Sequence, residues 1–166
     1  MESSLTLDMA KFENLCRDFQ YLSSKAIKVG VLNAEPETIE AAVLNEFGGT
    51  ATYNEEPFRG ETVKVPARSF IQYPSEKAAE KAFKETEKFF REGMNRESMD
   101  KLLDYIGEMV ENEQKKALET NGSNVPNWVK HNDPRTIAIK GFDRPLWSRR
   151  NETFPISREV TDEKAS

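Results

Sequence analysis

The chain has 166 residues, of which 37% are hydrophobic and 32% charged, and its formal net charge is −5. This length fits a single domain over residues 1–166, with a hydrophobic core of ordinary size. The acidic balance disfavours a general nucleic-acid coat. A lone cysteine excludes an intramolecular disulfide and a thiolate metal cluster.

No apolar run approaches the ~20 residues that span a bilayer, and the N-terminus lacks a signal pattern. We therefore expect a protein assembled in a reducing cytoplasm, with no membrane contact. The mean hydropathy of −0.73 is polar for a compact monomer. Part of the chain should accordingly lie in exposed arms or in contacts with other subunits.

The N-terminal third is predicted to alternate helix, strand and helix. Residues 1–7 should form a flexible end, and the helix after them carries one apolar stripe on which Cys16 should be a small core residue. A β-branched run at 27–32 predicts a strand, and Pro36 should begin a second helix that ends at Gly48. This order indicates the α/β class, of α+β type, with a small mixed sheet packed against several helices. The apolar side chains that share one face of the second helix are Ile39, Ala42, Val43 and Phe47.

The most distinctive stretch, residues 42–70, joins the end of that helix to an extended run. It contains Asn-Glu-Phe-Gly at 45–48 and Pro-Ala-Arg-Ser-Phe at 66–70. Because the residue before a proline is pushed out of the α region, the second motif should be extended. Residues 49–65, between the two motifs, should form an extended loop or a hairpin arm.

Two charge patterns accompany this stretch. A guanidinium can fork onto a carboxylate, so Glu46 is the candidate acceptor for Arg68. Between residues 35 and 61, seven glutamates stand against one basic residue, Arg59. Such a run is either a solvated acidic surface or a charged contact surface for a neighbour.

Two helices should fill the middle of the chain. The first should have Ser75 as its N-cap and end near Gly93, and the second should run from Asn95 to Thr120. Acidic residues precede basic ones on the polar face of the second helix, as the helix dipole favours, so Glu111 should be solvated. The apolar face of the first helix should consist of Ala78, Ala79, Ala82, Phe83, Phe89 and Phe90.

The C-terminal part is basic and carries interleaved aromatic residues. From residue 126 to 150 there are six Lys or Arg and two Asp. Residues 136–139 should form a short strand or an arm, and residues 154–160 an edge strand, because Pro155 cannot donate to a central ladder. Residues 161–166 should be a flexible end.

No motif predicts catalysis. His131 is the only histidine, so it has no partner at i+3 or i+4 to build a metal site. The sequence contains no nucleophile elbow and no phosphate-cradling glycine loop. Cys16 lies on an apolar stripe, which suits an inert thiol. We therefore expect no enzymatic activity, no metal and no cofactor.

The basic aromatic segment allows two interpretations. Interleaved Trp and Arg could stack the bases and hold the phosphates of single-stranded nucleic acid. The same residue types are the usual anchors of protein interfaces, and the acidic balance of the chain favours this protein contact. The candidate interface residues of this segment are Trp128, Arg135, Lys140, Phe142, Arg144, Trp147 and Arg149.

Two segments of the sequence resemble one protein family. Asn-Glu-Phe-Gly followed by Pro-Ala-Arg-x-Phe is similar to the signature of the minor tail component, or tail-completion protein, of tailed phages. This family belongs to the virion-morphogenesis (neck) class. Downstream, Asn-Asp-Pro-Arg-Thr at 132–136 and Lys-Gly-Phe-Asp-Arg-Pro-Leu at 140–146 are similar to its Thr-x-x-x-Lys-Gly-x-x-x-Pro-Leu segment. Two positions depart from the pattern: Ser69 replaces a second proline, and Trp-Ser-Arg-Arg at 147–150 replaces a Thr-Gly-x-Leu turn.

The resemblance implies a structural virion protein, assembled in the host cytoplasm, that forms a hexameric ring at the neck or tail end. Such a ring completes the tail and supports head–tail joining. Its partners would be other copies of the chain and the connector and tail terminator or tube proteins. DNA would pass through the lumen without sequence-specific contact. The alternative function is a small single-stranded nucleic-acid-binding module.

Cyclic rings need heterologous interfaces, in which one patch meets a different patch of the neighbour. We therefore expect acidic residues of one subunit, among them Glu40, to face the basic segment of the next. The other candidate interface residues are Glu46, Phe47, Glu55, Glu56, Phe58, Pro66, Arg68 and Phe70.

Overall fold

The computed structural model describes residues 9–92, 95–148 and 152–162. In chain order its elements are α1 (Met9–Ser23), β1 (Lys25–Gly30), α2 (Pro36–Phe47), β2 (Gly49–Thr52), β3 (Thr62–Val65), α3 (Gln72–Glu92), α4 (Arg96–Glu119), α5 (Pro134–Lys140) and β4 (Ser157–Asp162). Among these described residues, no helix has the length and apolar character that crossing a membrane requires.

The mixed α/β class predicted from the sequence is confirmed. The strands form two antiparallel pairs, β1 with β4 and β2 with β3, in place of one mixed sheet. In the first pair Lys25 lies opposite Asp162 and Gly30 opposite Ser157. The second pair confirms the predicted hairpin arm, with Gly49 opposite Val65.

A helical hairpin of α3 and α4 frames the fold, and the β1–β4 pair packs on α4. α4 begins as predicted, because Asn95 and Ser98 form a reciprocal capping box. Its last turns meet α2 and the C-terminal segment in the main core. There Phe70 is fully buried, and its ring stacks on that of Phe154 with centroids 5.3 Å apart. The buried residues of this core are Ala42, Phe70, Ala117, Leu118, Val125, Leu146 and Ile156.

The environment of α1 differs from the prediction. The helix forms, but none of its residues is buried. It contacts the body through β1 and through Tyr21, whose hydroxyl donates a hydrogen bond to Asp100 of α4. The apolar stripe is consequently left on the surface. Cys16 is exposed, so its prediction as a core residue is wrong.

α3 begins at Gln72, before the predicted cap at Ser75. Ala78 and Ala82 are buried as predicted, but Ala79 and Phe83 are exposed, Phe83 by 82%. The contact with α4 uses only a narrow alanine-lined face, so these two positions point outward. The predicted end at Gly93 and the side chains of Phe89 and Phe90 lie outside the described residues.

Residues 136–139 belong to a helix, α5, so the prediction of a strand or arm is wrong. Asp133 caps this helix by accepting from the Arg135 N–H, and Pro134 occupies its first position. Gly141 ends it with a left-handed φ of 84°. These local signals outweigh the β-branched composition of the run.

β4 begins at Ser157, later than predicted, and extends into the stretch expected to be a flexible end. Thr161 and Asp162 pair with β1, and the Lys25 ammonium lies 2.6 Å from the Asp162 carboxylate. The other predicted flexible residues, 1–7 and 163–166, lie outside the described residues.

Glu111 links β4 to α4, so the prediction that it is solvated is wrong. It is buried, and its carboxylate accepts hydrogen bonds from Lys115 and from the guanidinium of Arg158. Arg158 also donates to Asp104, with nitrogen–oxygen distances of 3.1 and 3.2 Å. The hydrogen bond from Lys115, followed by that from Arg158, lowers the pKa of the Glu111 carboxyl, although burial opposes this shift.

A depressed pKa in the folded state means that the ionised Glu111 stabilises the fold above its ordinary pKa of 4.5. This contribution is lost as the pH falls below 4.5, through the lowered value. Glu111→Gln should therefore reduce the free energy of unfolding at pH 7 by on the order of 1 kcal/mol. The difference from the parent should shrink in acid. Urea unfolding across pH measures both effects.

The matched control is Glu108→Gln, at an exposed position of the same helix. It should change the free energy of unfolding by less than about 0.5 kcal/mol. An equal loss for both variants at pH 7 would contradict the assigned role of Glu111.

Candidate functional site

Arg68, in the first of the two segments that carry the family resemblance, binds the loop that leads into the second. Its side chain is buried, with only 3% exposed. Nη1 donates to Oδ1 of Asn45 at 3.1 Å, Nε donates to the Val129 carbonyl at 3.0 Å, and Nη2 donates to the His131 carbonyl at 3.0 Å. We call these four residues the Arg68 junction. Its hydrogen bonds join three parts of the chain: the end of α2, the extended segment after β3 and the loop before α5.

The electrostatics of the junction are those of a buried cation bound to neutral acceptors. Burial lowers the pKa of the Arg68 guanidinium, and the negative charge of Asp143 opposes this shift. Guanidinium nevertheless stays protonated in proteins. Its planar fork spreads its donors over three nitrogens and so reaches three separate acceptors, whereas all the donors of an ammonium group lie on one nitrogen.

Glu46 caps α3 and does not bind Arg68, so the predicted Glu46–Arg68 ion pair is wrong. The Glu46 carboxylate is buried and accepts from the N–H groups of Ile71 and Gln72, each at 2.9 Å. The Ser69 hydroxyl donates to Glu46 at 2.7 Å and accepts from the Tyr73 N–H at 3.1 Å. These bonds satisfy the N-terminal amides of α3 and explain its early start.

Asp143 supports the junction from the other side. Its carboxylate accepts from the Asn132 N–H at 2.8 Å and lies 2.6 Å from Nδ1 of His131. The hydrogen bond from Asn132, followed by that from His131, lowers the pKa of the Asp143 carboxyl. Asp143 thus fixes the position of His131 and Asn132, and Arg68 binds the His131 carbonyl.

Gly48 lets α2 approach the extended segment closely. Its φ is 75°, and a Cβ added to it would lie 2.9 Å from the backbone nitrogen of Ala67. Any other residue would strain the backbone and push this segment away. The glycine of the Asn-Glu-Phe-Gly motif therefore serves both the helix end and the junction.

An open groove of about 730 Å³ runs beside the junction, between α2, β3, α5 and the C-terminal segment. Pro66, Arg68, Asn132, Lys140 and Trp147 are among its lining residues. Burial, followed by the charge of Arg68, lowers the pKa of the Lys140 ammonium. The groove thus presents amide groups and charges of both signs, because Glu35, Glu37 and Asp133 line it as well. Within the described ranges, no group of acidic, histidine or cysteine side chains is placed to hold a metal ion.

The two tryptophans anchor the C-terminal segment to the end of α4. The Trp128 indole N–H donates to Asn121 at 3.4 Å, and the Trp147 indole N–H donates to the Leu118 carbonyl at 3.3 Å. The Arg144 guanidinium lies 3.6 Å from the centre of the Trp147 ring. Both tryptophan side chains therefore make contacts within the chain. These contacts add no support to the nucleic-acid alternative.

Arg135 joins the acidic and basic segments within one chain. Its guanidinium binds Asp133 at 3.0 Å and Glu61 at 2.8 Å, and it lies over the Tyr53 ring. The hydrogen bond to Asp133, followed by that to Glu61, raises the pKa of Arg135. The acidic and basic segments were predicted to attract each other between subunits. Arg135 and Glu61 do form such an ion pair, but it joins the β2–β3 hairpin to α5 within the same chain.

The remaining candidate residues divide by exposure. Phe58 is half-buried against Tyr53, and Phe142 is half-buried below Lys140. Glu46, Arg68 and Phe70 are buried, so the expectation that they contact a neighbouring subunit is corrected. Arg149 lies outside the described residues. The candidates that remain on the open surface are Phe47, Glu55 and Glu56.

Sequence reasoning missed one feature of α2. Of the apolar residues assigned to one face, only Ala42 is buried, whereas Ile39, Val43 and Phe47 form an exposed row. The helix turns Glu46 inward to cap α3, which turns this row outward. No local signal in the sequence indicates that a glutamate here would be buried.

Comparison of the chain with models of protein families, with curated proteins and with solved structures gives no match. The resemblance to the tail-completion family therefore rests on the two sequence segments and stays a prediction.

The Arg68 junction predicts a large stability loss on truncation. Arg68→Ala leaves the carbonyls of Val129 and His131 unpaired and should cost about 3 kcal/mol in the free energy of unfolding. Arg68→Lys keeps the charge without the fork and should recover only part of this loss. Urea unfolding measures both, with Arg59→Ala in the exposed hairpin loop as control. Parent-like unfolding of Arg68→Ala would show that the junction does not hold the segments together.

Proposed function

We propose that this chain is a structural virion protein of a tailed bacteriophage, forming a ring of identical subunits at the neck or tail end. The ring completes the tail and supports the joining of head and tail. Its partners are further copies of the chain and the connector and tail proteins on either side. DNA passes through the lumen of the ring without sequence-specific contact.

The observation that carries this proposal is that the two family-like segments line one groove, beside which the first binds the loop leading into the second. They are far apart in sequence, yet Arg68 of the first binds the Val129 and His131 carbonyls beside the second. The groove beside the junction is lined from both, by Pro66 and Arg68 on one side and Lys140 and Leu146 on the other. Their placement at one site supports a common family origin for the two segments.

Unburied apolar surface supports self-assembly. Ile39, Val43 and Phe47 form an exposed row on α2, and α1 leaves its apolar stripe uncovered by the described residues. Large exposed apolar side chains in adjacent positions mark interaction surfaces on soluble proteins. A subunit of a ring needs two such surfaces, one for each neighbour.

Loss of the protein in the encoding phage tests the function directly. An amber codon in its reading frame should yield filled heads and separate tails in a nonpermissive host, with infectious titre reduced by orders of magnitude. Electron microscopy of the lysate and mass spectrometry of purified parental virions are the measurements. Supplying the chain in trans should restore joined particles. Joined, infectious particles that lack the chain would refute the proposal.

A further inference from the structure

We propose that the groove beside the Arg68 junction is a binding site for a carboxylate, which an extended peptide presents to Arg68 and Lys140. This inference goes beyond the proposed function. It does not depend on the ring, because every residue of the site belongs to one chain. Its failure would therefore leave the proposed function untouched.

Arg68 and Lys140 place two positive charges along the groove. Both line it, and burial followed by the charge of Arg68 lowers the pKa of Lys140, so the two cations act on each other. The carboxylate whose charge acts on both is Asp143. Its oxygens already bind the Asn132 N–H and the His131 ring. Two cations against one carboxylate leave an excess of one positive charge, which a single anion would balance.

The polar groups of the groove that lack a full set of partners are donors. Arg68 uses three of the five N–H groups that a guanidinium carries. The Lys140 ammonium makes a single hydrogen bond within the described residues, to the Arg144 carbonyl at a long 3.4 Å. The side-chain nitrogen of Asn132, another lining residue, is buried and donates to no described group. The ligand must therefore supply acceptors, and an ionised carboxylate is an acceptor only, with two oxygens.

The other acidic residues of the groove do not cancel this excess. Glu35, Glu37 and Glu152 line it but are exposed, so water and salt screen their charges. Asp133 is bound to Arg135. The exposed carboxylates repel a polyanion such as nucleic acid, whose phosphates would pass close to them. The ligand therefore carries an isolated carboxylate, not a run of phosphates.

The size of the groove and the edge of β3 favour a peptide as the carrier of this carboxylate. A groove of about 730 Å³ lies in the size range of whole ligand sites, about 300–1,000 Å³, and exceeds what a carboxylate alone needs. The Tyr53 N–H donates to the Glu61 carbonyl at 2.9 Å. Alternation along the ladder from this pair turns the main-chain N–H and carbonyl of Lys64 away from β2. Lys64 lines the groove, and an unpaired strand edge of this kind binds extended peptides.

Two pools of capped heptapeptides test the site on the immobilised full chain. One pool has glutamate at the centre and lysine, threonine or valine elsewhere, so that its lysines match the exposed carboxylates of the groove. The matched pool has glutamine at the centre and is otherwise identical. Mass spectrometry of the retained peptides should show at least about tenfold more of the glutamate pool, because glutamine makes only neutral acceptor bonds.

Substitutions of Lys140 locate the binding. Lys140→Gln should lower retention of the glutamate pool to that of the glutamine pool, whereas Lys140→Arg keeps the charge and should preserve most of the retention. Lys84→Gln, at an exposed position of α3, is the matched control and should behave like the parent. Circular dichroism checks that each variant is folded.

A footprint on the parent needs no substitution. The glutamate pool should slow the acylation of Lys140 by an amine-reactive ester, because a bound carboxylate stabilises the protonated ammonium. Acylation of Lys84 should not change. Acetate should protect Lys140 only at much higher concentration, since it lacks the main-chain contacts, and inorganic phosphate should protect no better than acetate.

The outcomes separate the carboxylate from its carrier. Equal retention of the two pools by the parent overturns the carboxylate site, and so does parent-like retention by Lys140→Gln. Phosphate that protects Lys140 more strongly than acetate also overturns it. Acetate that protects as well as the glutamate pool at the same concentration overturns the peptide and leaves a site for a small free carboxylate.

Discussion

The fold depends on a buried guanidinium that has no carboxylate directly bonded to it. Burying a charge is costly unless every donor is satisfied. Arg68 meets this condition by bonding Asn45 and two main-chain carbonyls. Those acceptors lie at the end of α2 and in the loop before α5. The Arg68 side chain therefore links the α2 end, the hairpin exit and the α5 loop at one point.

The sequence predicts what is decided locally. Pro36 and Gly48 mark the two ends of α2, and Asn95 marks the start of α4, because proline, glycine and a capping side chain act on their nearest backbone groups. The hairpin arm follows from turn residues between two β-branched runs. α5 follows the same rule, because the cap at Asp133 and the helix end at Gly141 are stronger local signals than the β-branched run between them.

Long-range choices were not predictable from one sequence. Glu46 could pair with Arg68 or cap α3, which begins only after the β2–β3 hairpin. The spacing of these residues in the sequence does not decide between the two partners. Arg135 likewise binds two carboxylates of its own chain, those of Asp133 and Glu61. The apolar stripe of α1 predicts a buried face, but periodicity does not tell whether its own chain or a neighbour buries it. Sequence periodicity thus identifies apolar faces, and only the tertiary packing identifies their partners.

Cryo-electron microscopy of the purified full-length chain, at concentrations where light scattering detects assembly, tests the central claim most directly. The account predicts a closed ring of identical subunits. The Arg68 junction should be intact inside every subunit. A particle that is a monomer or a symmetric dimer would contradict it.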